Sequence, residues 1–337
     1  MKVLIIGGSG LLGSEAAWAL SNKGHQVIGL SLPPLPQDAA FPSSMVHHFG
    51  SYLDLSDEEL TALLVGCEGL VFATGVDERV KTVPPVLDFY RKYNNEPLKR
   101  ILPLAKAAGV RHVVVLGSYF SHFNRVWPRH NLEQNHPYIK SRVEQEAIAK
   151  SHAGPGFDVA VLELPYIFGT QPGRKPVWVF LVVMLRGMRP FAFFPPGGTA
   201  MVTAKQVGQA ILGALERNTG YQAYPIGFYN LTWREMLGIF HEAMGCPNKR
   251  IITIPVWMFK IGTIFIQNRD KKKGLVGGLD LPKFAPVMGS EAFIDKSLGS
   301  VPLGIEEDDI KKAITASVKQ SLQAMEGSAS MVEMQNK

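Results

Sequence analysis

The sequence predicts an α/β fold: a parallel sheet with helices on both faces, followed by a smaller mixed lobe. Three observations carry that reading. Short β-branched runs alternate with helical patterns through the first half, the order that crossover connections impose on a parallel sheet. The first run, residues 3–6, is apolar at every position, as a strand covered on both faces must be. After Gly169 the pattern loosens, and prolines and glycines crowd residues 170–176 and 190–198. The chain's 337 residues are too many for one ordinary core. They divide into a first domain over 1–169, a second lobe over 170–326 with part of it free to return to the first, and a frayed tail over 327–337.

The elements follow in order. Residues 3–6 form a strand and 11–22 a helix, stopped at Lys23-Gly24. Residues 26–30 form the second strand. Ser56 opens a helix, and Glu59 three residues on completes a capping box. Strand 70–73 ends in Thr74-Gly75, helix 98–108 closes at Gly109, and strand 112–116 ends in Gly117-Ser118. A helix over 138–150 and a strand over 159–162 complete the first half. Beyond it lie helices over 204–217, 232–244 and 308–325.

Composition excludes several classes. Hydrophobic residues make up 46% and charged residues 19%, which leaves no case for disorder. The net charge of +6 comes without an arginine-rich run, so no nucleic-acid partner is expected. Cys67 and Cys246 have neither partners nor metal-ligand spacing and read as buried thiols of a reducing compartment. The nine histidines are scattered, and no metal is expected. The apolar start before Gly7 is too short for a signal-peptide core, so a cytoplasmic location is expected. Residues 254–266, followed by Arg269 and Lys271-Lys272-Lys273, admit a membrane-surface element. A helix of the second lobe with a solvated charged end is favoured, and no membrane contact is expected.

The strongest motif is Gly7-Gly8-Ser9-Gly10-Leu11-Leu12-Gly13, between a strand and a helix. Gly7 allows a tight turn, Gly10 lets the backbone approach a pyrophosphate on the positive end of the helix, and Gly13 lets helix and strand pack closely. Its G-x-x-G-x-x-G spacing, with these elements, resembles the extended short-chain dehydrogenase/reductase family, whose members include NAD-dependent epimerases and dehydratases. The resemblance runs motif by motif over residues 1–169 and is general beyond. It implies a Rossmann-like doubly wound sheet, a nicotinamide dinucleotide and a small-molecule substrate, with homodimerisation common in the family.

The resemblance assigns further positions. Where NAD-specific relatives place an acid at the end of the second strand, this chain has Ser31. That favours NADP over NAD, although no arginine follows and the nearest basic residues are Lys23 and His25. Asp54 and Leu55 resemble the adenine-contacting pair. Ala73, Thr74 and Gly75 resemble the segment along the diphosphate and ribose, and Asn94 the helix asparagine that organises the site. Pro165 and Ile167, in Pro165-Tyr166-Ile167-Phe168-Gly169, resemble the segment at the nicotinamide amide.

The family's chemistry needs a tyrosine able to pass a proton, with a nearby cation to bring its pKa of about 10 into range. The matching run is Tyr138-Ile139-Lys140-Ser141-Arg142. Family members carry lysine four residues after the tyrosine, on the same helix face. Here that residue is Arg142, which keeps the charge in a bulkier, planar head. Lys140 points to the far side. Ser118 matches the catalytic serine, with Ser121 as runner-up, and the loop over 119–137 between them is rich in Phe, His, Arg and Trp.

Three functions remain open: an NAD(P)-dependent oxidoreductase acting through Tyr138, an epimerase or dehydratase of the nucleotide-sugar type, and a non-catalytic NADP(H)-binding regulator. Arg174, Lys175 and Arg186 are available to a diphosphate. The apolar density of residues 191–194 and 257–265 suits a hydrophobic substrate instead.

Overall fold

The computed structural model describes residues 1–327 and 331–332. Seven parallel strands form the main sheet in the spatial order Tyr221–Pro225, Asp158–Glu163, His112–Leu116, Gly69–Phe72, Lys2–Ile6, Gln26–Ser31, Val46–Phe49. The order reverses between Lys2–Ile6 and Gly69–Phe72, which opens a crevice at their carboxyl ends.

Alternation along the first strand explains its uniform apolarity. Val3 and Ile5 pack against Ala16, Ala17 and Leu20 of helix Leu11–Asn22 and against Val207 and Ile211 of helix Ala204–Arg217. Leu4 and Ile6 face the opposite way, onto Leu60 and Leu64 of helix Asp57–Leu64 and Leu98, Ile101 and Leu102 of helix Glu96–Ala107. Each such buried side chain contributes about 1.5–3 kcal/mol of transfer free energy. Ser56 and Glu59 form the reciprocal capping box, with N···O distances of 3.2 and 2.7 Å. Helix Glu96–Ala107 starts earlier than its apolar pattern indicates because Pro97 fits the first turn.

Two readings need correction. Residues 119–137 are not a loop: Ser118 caps helix Tyr119–Val126, and a 3₁₀ turn and short helix follow. Tyr119, Phe120 and Phe123 share its buried face, so the aromatics are core. Cys246 is exposed just after the turn at Gly245, whereas Cys67 is buried and unpaired.

In the second lobe, strand Gly198–Thr203 pairs antiparallel with Tyr229–Thr232 and parallel with Tyr166–Phe168 and Glu291–Ala292. Helices Val179–Gly187, Trp233–Ala243 and Ile310–Met325 enclose Phe168, Trp178 and Phe240. Between them, strand Tyr221–Pro225 joins the edge of the main sheet and helix Ala204–Arg217 its face. Gly208 lets that helix approach helix Leu11–Asn22, since a Cβ there would lie 2.6 Å from the Glu15 carbonyl oxygen. Of the expected tail, residues 328–330 and 333–337 lie outside the described residues; the Val332 N–H donates to the Gly173 carbonyl at 2.8 Å.

Candidate active site

The glycine turn stands at the crevice. Gly7 has φ +91°, and a Cβ there would lie 2.7 Å from the Ala73 carbonyl oxygen at the end of the neighbouring strand. A Cβ on Gly13 would lie 2.2 Å from the Gly7 carbonyl oxygen, so the helix packs against the turn at a distance only glycine permits. Gly10 sits at the helix N-cap, where no side chain caps Leu11, Leu12 or Gly13. Bare N–H groups in a cradle that side chains would fill fit a dinucleotide pyrophosphate. The Ser31 hydroxyl accepts the Ser9 N–H at 2.8 Å, tying the second strand to this turn.

Residues 73–76 lead out of the neighbouring strand. Gly75 has φ +138°, and a Cβ there would lie 2.7 Å from Asn94 Oδ1 and 3.6 Å from Arg142 Nη1. Asn94 is fully buried and holds Val76 twice: Oδ1 accepts the Val76 N–H at 2.9 Å, and Nδ2 donates to the Val76 carbonyl at 3.3 Å. The buried Arg142 guanidinium donates to the same carbonyl at 3.1 Å, to the Leu116 carbonyl at 3.4 Å and to Gln145 Oε1 at 2.9 Å. It therefore joins two neighbouring strand ends. Its Nε has no hydrogen-bond partner among the described residues.

Tyr138, in helix Pro137–His152, lies with its ring centroid 5.2 Å from the Arg142 guanidinium carbon. Burial pushes its phenol above the ordinary tyrosine value, Arg142 pulls it down, Glu78 pushes it up, and the neighbouring Ser118 hydroxyl pulls it down again. Ser118 is buried at the N-cap of the following helix. Ser121, also buried, leaves its hydroxyl without a hydrogen-bond partner among the described residues.

Glu78 is the residue sequence reasoning missed. Burial and Asp77 raise its carboxyl above the usual range, while Arg79 and Arg142 lower it. Its charge reaches Tyr90, Tyr119, Tyr138 and Tyr166. A signal existed in its place three residues after Gly75, at the crossover point of the sheet, but that position becomes visible only with the strand order.

The structure thus gathers Gly7, Gly10, Gly13, Ser31, Ala73, Thr74, Gly75, Asn94, Ser118, Tyr138 and Arg142 at the carboxyl ends of the central strands. Other residues are placed differently. Asp54 is exposed in a turn, its N–H bonded to the Ser51 carbonyl at 2.9 Å, while Leu55 packs into the core. Pro165 is buried. Ile167 packs against the main core and its carbonyl accepts the Trp178 indole N–H at 2.9 Å. Arg174 turns toward the glycine turn, donating to the Ser9 carbonyl at 2.9 Å beside Gln171. Arg186 ends an outer helix. Among the described residues no group of His, Cys, Asp and Glu could hold a metal ion, and no helix is long and apolar enough to cross a membrane.

A doubly wound sheet with a glycine cradle at its crossover point and a tyrosine–serine–cation cluster beside it defines a dinucleotide-binding protein of the extended short-chain dehydrogenase/reductase type. Residues 3–187 match the NAD dependent epimerase/dehydratase family, and the chain belongs to that family of NAD-dependent enzymes. Its fold is similar to that of gox2253, with TM-score 0.73, 16% identity, and coverage of 98% of this chain and 99% of that one. It is also similar to the UDP-glucuronic acid 4-epimerase from Bacillus cereus solved with NAD (TM-score 0.67, 13% identity, 96% and 99% covered). TunA, an NAD-dependent NDP-hexosamine 5,6-dehydratase of tunicamycin biosynthesis, aligns with TM-score 0.66 and 16% identity over 95% and 97%. Among curated proteins, none is significantly similar in sequence.

Proposed function

We propose that the chain is an NAD(P)-dependent oxidoreductase acting on the carbonyl or alcohol of a small molecule, with Tyr138 passing the proton. The observation that carries this reading is the buried Tyr138 phenol with the Ser118 hydroxyl and Arg142 guanidinium upon it. Burial is the largest influence and leaves the phenol protonated at neutral pH. A protonated phenol suits the reductive direction, giving its proton to a carbonyl oxygen that Ser118 also holds by hydrogen bond. Arg142 stabilises the phenolate left behind. The bound nicotinamide supplies the redox chemistry, and Gly7, Gly10 and Gly13 hold its diphosphate against the helix N-terminus.

The Ser31 hydroxyl accepts from Ser9 and keeps its own proton to donate. It places no acid near the adenosine ribose, which supports preference for NADP. Two unpaired cysteines support a reducing, cytoplasmic setting.

Family membership favours a second reading, an epimerase or dehydratase of nucleotide sugars that keeps its cofactor through the cycle. Cofactor that stays bound through purification supports it; freely exchanging cofactor supports the oxidoreductase. The deciding variant is Tyr138→Phe. Calorimetry should find cofactor affinity nearly unchanged while turnover falls roughly 10²-fold or more, the scale of a lost positioned acid. Unaltered turnover removes Tyr138 from the chemistry. A broad substrate screen without turnover, with cofactor binding intact, would favour a regulator.

A further inference from the structure

Helix Val256–Lys272 buries only Thr263 and Asp270. The sequence favours a helix of the second lobe here; the helix forms, and its apolar run faces outward. Trp257, Met258, Ile261 and Phe265 recur at helical spacing on one side, and all are exposed, Trp257 at 64% and Phe265 at 72%. Phe193 is exposed as well, in a strand paired with the one that leads into this helix. A folded chain seldom leaves a rigid aromatic and aliphatic face without a purpose.

The charge beside that face is as uneven as its hydrophobicity. Residues 249–273 hold seven basic side chains, Lys249, Arg250, Lys260, Arg269, Lys271, Lys272 and Lys273, and one acid, Asp270. The acid is turned inward and paired with Lys81 at 2.6 Å. The segment's excess of six positive charges equals the formal net charge of the whole chain, so the remaining residues are neutral in sum. Arg269 and the three lysines that follow are exposed and form no ion pair among the described residues.

We propose that helix Val256–Lys272 and the basic segment at its end form a docking surface for an anionic lipid bilayer. Trp257, Met258, Ile261 and Phe265 enter the headgroup–acyl boundary, where amphipathic aromatic side chains are favoured, and the basic end meets lipid phosphates. A second copy of this chain is a poorer occupant, because the face offers no acid to answer its cations and self-pairing sets like charges together. Docking there needs no refolding, since the helix is already packed through its inner side. It also brings the membrane near residues 77–82, because Lys81 bonds Asp270 and strand Lys81–Thr82 pairs with Val276–Gly277 just beyond the helix. Glu78 lies within that segment.

The test is co-sedimentation of the full chain with vesicles of phosphatidylcholine alone and of phosphatidylcholine with phosphatidylglycerol. The chain should pellet with the mixed vesicles, weakly or not at all with the neutral ones, and less as salt rises. Trp257→Ser with Phe265→Ser should lower the apparent partition constant about tenfold or more, since both aromatic anchors are lost. Lys271→Glu, Lys272→Glu and Lys273→Glu together should lower it at least as much, because each basic residue near the surface adds to the attraction. Both variants change exposed residues, and unchanged melting confirms their fold. The proposal is overturned if the wild-type chain stays in solution with both vesicles, or if both variants pellet as it does. It is equally overturned if sedimentation velocity finds a dimer that the double serine variant converts to monomer, for then a second copy covers the face.

Discussion

Two parts of the site at the carboxyl ends of the central strands are built by different means. The glycine turn owes its shape to missing atoms: at Gly7 and Gly13 the neighbouring backbone stands where a Cβ would be. It is fixed locally by strand, turn and helix. The Tyr138 cluster is made instead of buried side chains from separate elements. Arg142 reaches the carbonyls of Val76 and Leu116, Asn94 holds Val76, and Ser118 meets the phenol from another strand end. At Gly7 and Gly13 the first tolerates no added atom. The second can accept exchange where charge and reach are kept.

The largest effect separates the two uses of glycine within the turn. Gly13→Ala places a methyl group 2.2 Å from a backbone oxygen that has no rotamer to change, and should destabilise the fold by about 3 kcal/mol or more. Gly10→Val is a different change. Gly10 has φ −69° and its Cβ would meet only the Gly7 oxygen, at 3.1 Å. That variant should keep its melting temperature within a few degrees while losing cofactor binding, because its side chain fills the cradle. Thermal melting and calorimetry together check the pair. Equal melting for both would mean that helix and turn are not in register as described.

This difference sets how much of the molecule can be read before it folds. The glycine turn, the capping box at Ser56 and the strand of residues 3–6 depend on neighbours in sequence, and their patterns announce them. Tyr138, Ser118 and Arg142 are recognisable through family spacing, but spacing is silent on where the Arg142 guanidinium goes. Glu78 is invisible in that way, because the groups its charge influences, Tyr90, Tyr119, Tyr138 and Tyr166, lie on separate segments of the sequence. The aromatic run over 119–137 misleads because periodicity at 3.6 residues is hidden by prolines and polar residues near its end. The outward face of helix Val256–Lys272 shows the same limit, since apolar periodicity tells which residues share a side and not whether anything covers it.

The side-chain cluster is best probed at Arg142. Arg142→Met removes the cation that lowers the Tyr138 phenol, and leaves burial and Glu78 unopposed except by Ser118. For reduction, activity is lost as pH rises through the phenol's pKa, so the alkaline limb of the profile should move up, by about one unit. Turnover should fall by about tenfold, because the phenolate formed on proton transfer loses its counter-charge. Arg142→Lys should leave the limb near its wild-type place, since the charge remains, but a single ammonium cannot serve both the Val76 and Leu116 carbonyls in one planar fork. A limb that stays fixed in the methionine variant would assign that titration to another group, with Glu78 the first to examine.

The smallest expected effect lies where the two kinds of construction meet. Ser31 is a side chain, yet its hydroxyl serves the glycine turn by accepting the Ser9 N–H at 2.8 Å. Ser31→Asp keeps an acceptor for that N–H and adds a charge where the adenosine ribose would lie. The charge should repel a 2′-phosphate and accept from ribose hydroxyls, moving the ratio of NADP to NAD affinity about tenfold toward NAD. Ser31→Ala is the necessary companion. It deletes the acceptor without adding charge, so it should weaken both cofactors alike by loosening the turn, at a cost of about 1 kcal/mol for the buried N–H left without its bond. Calorimetric titration of both cofactors against both variants separates the roles. If the alanine variant also shifts the ratio, the serine reads the 2′ position directly; if the aspartate variant shifts nothing, Ser31 is only the strut between strand and turn, and cofactor choice is made elsewhere.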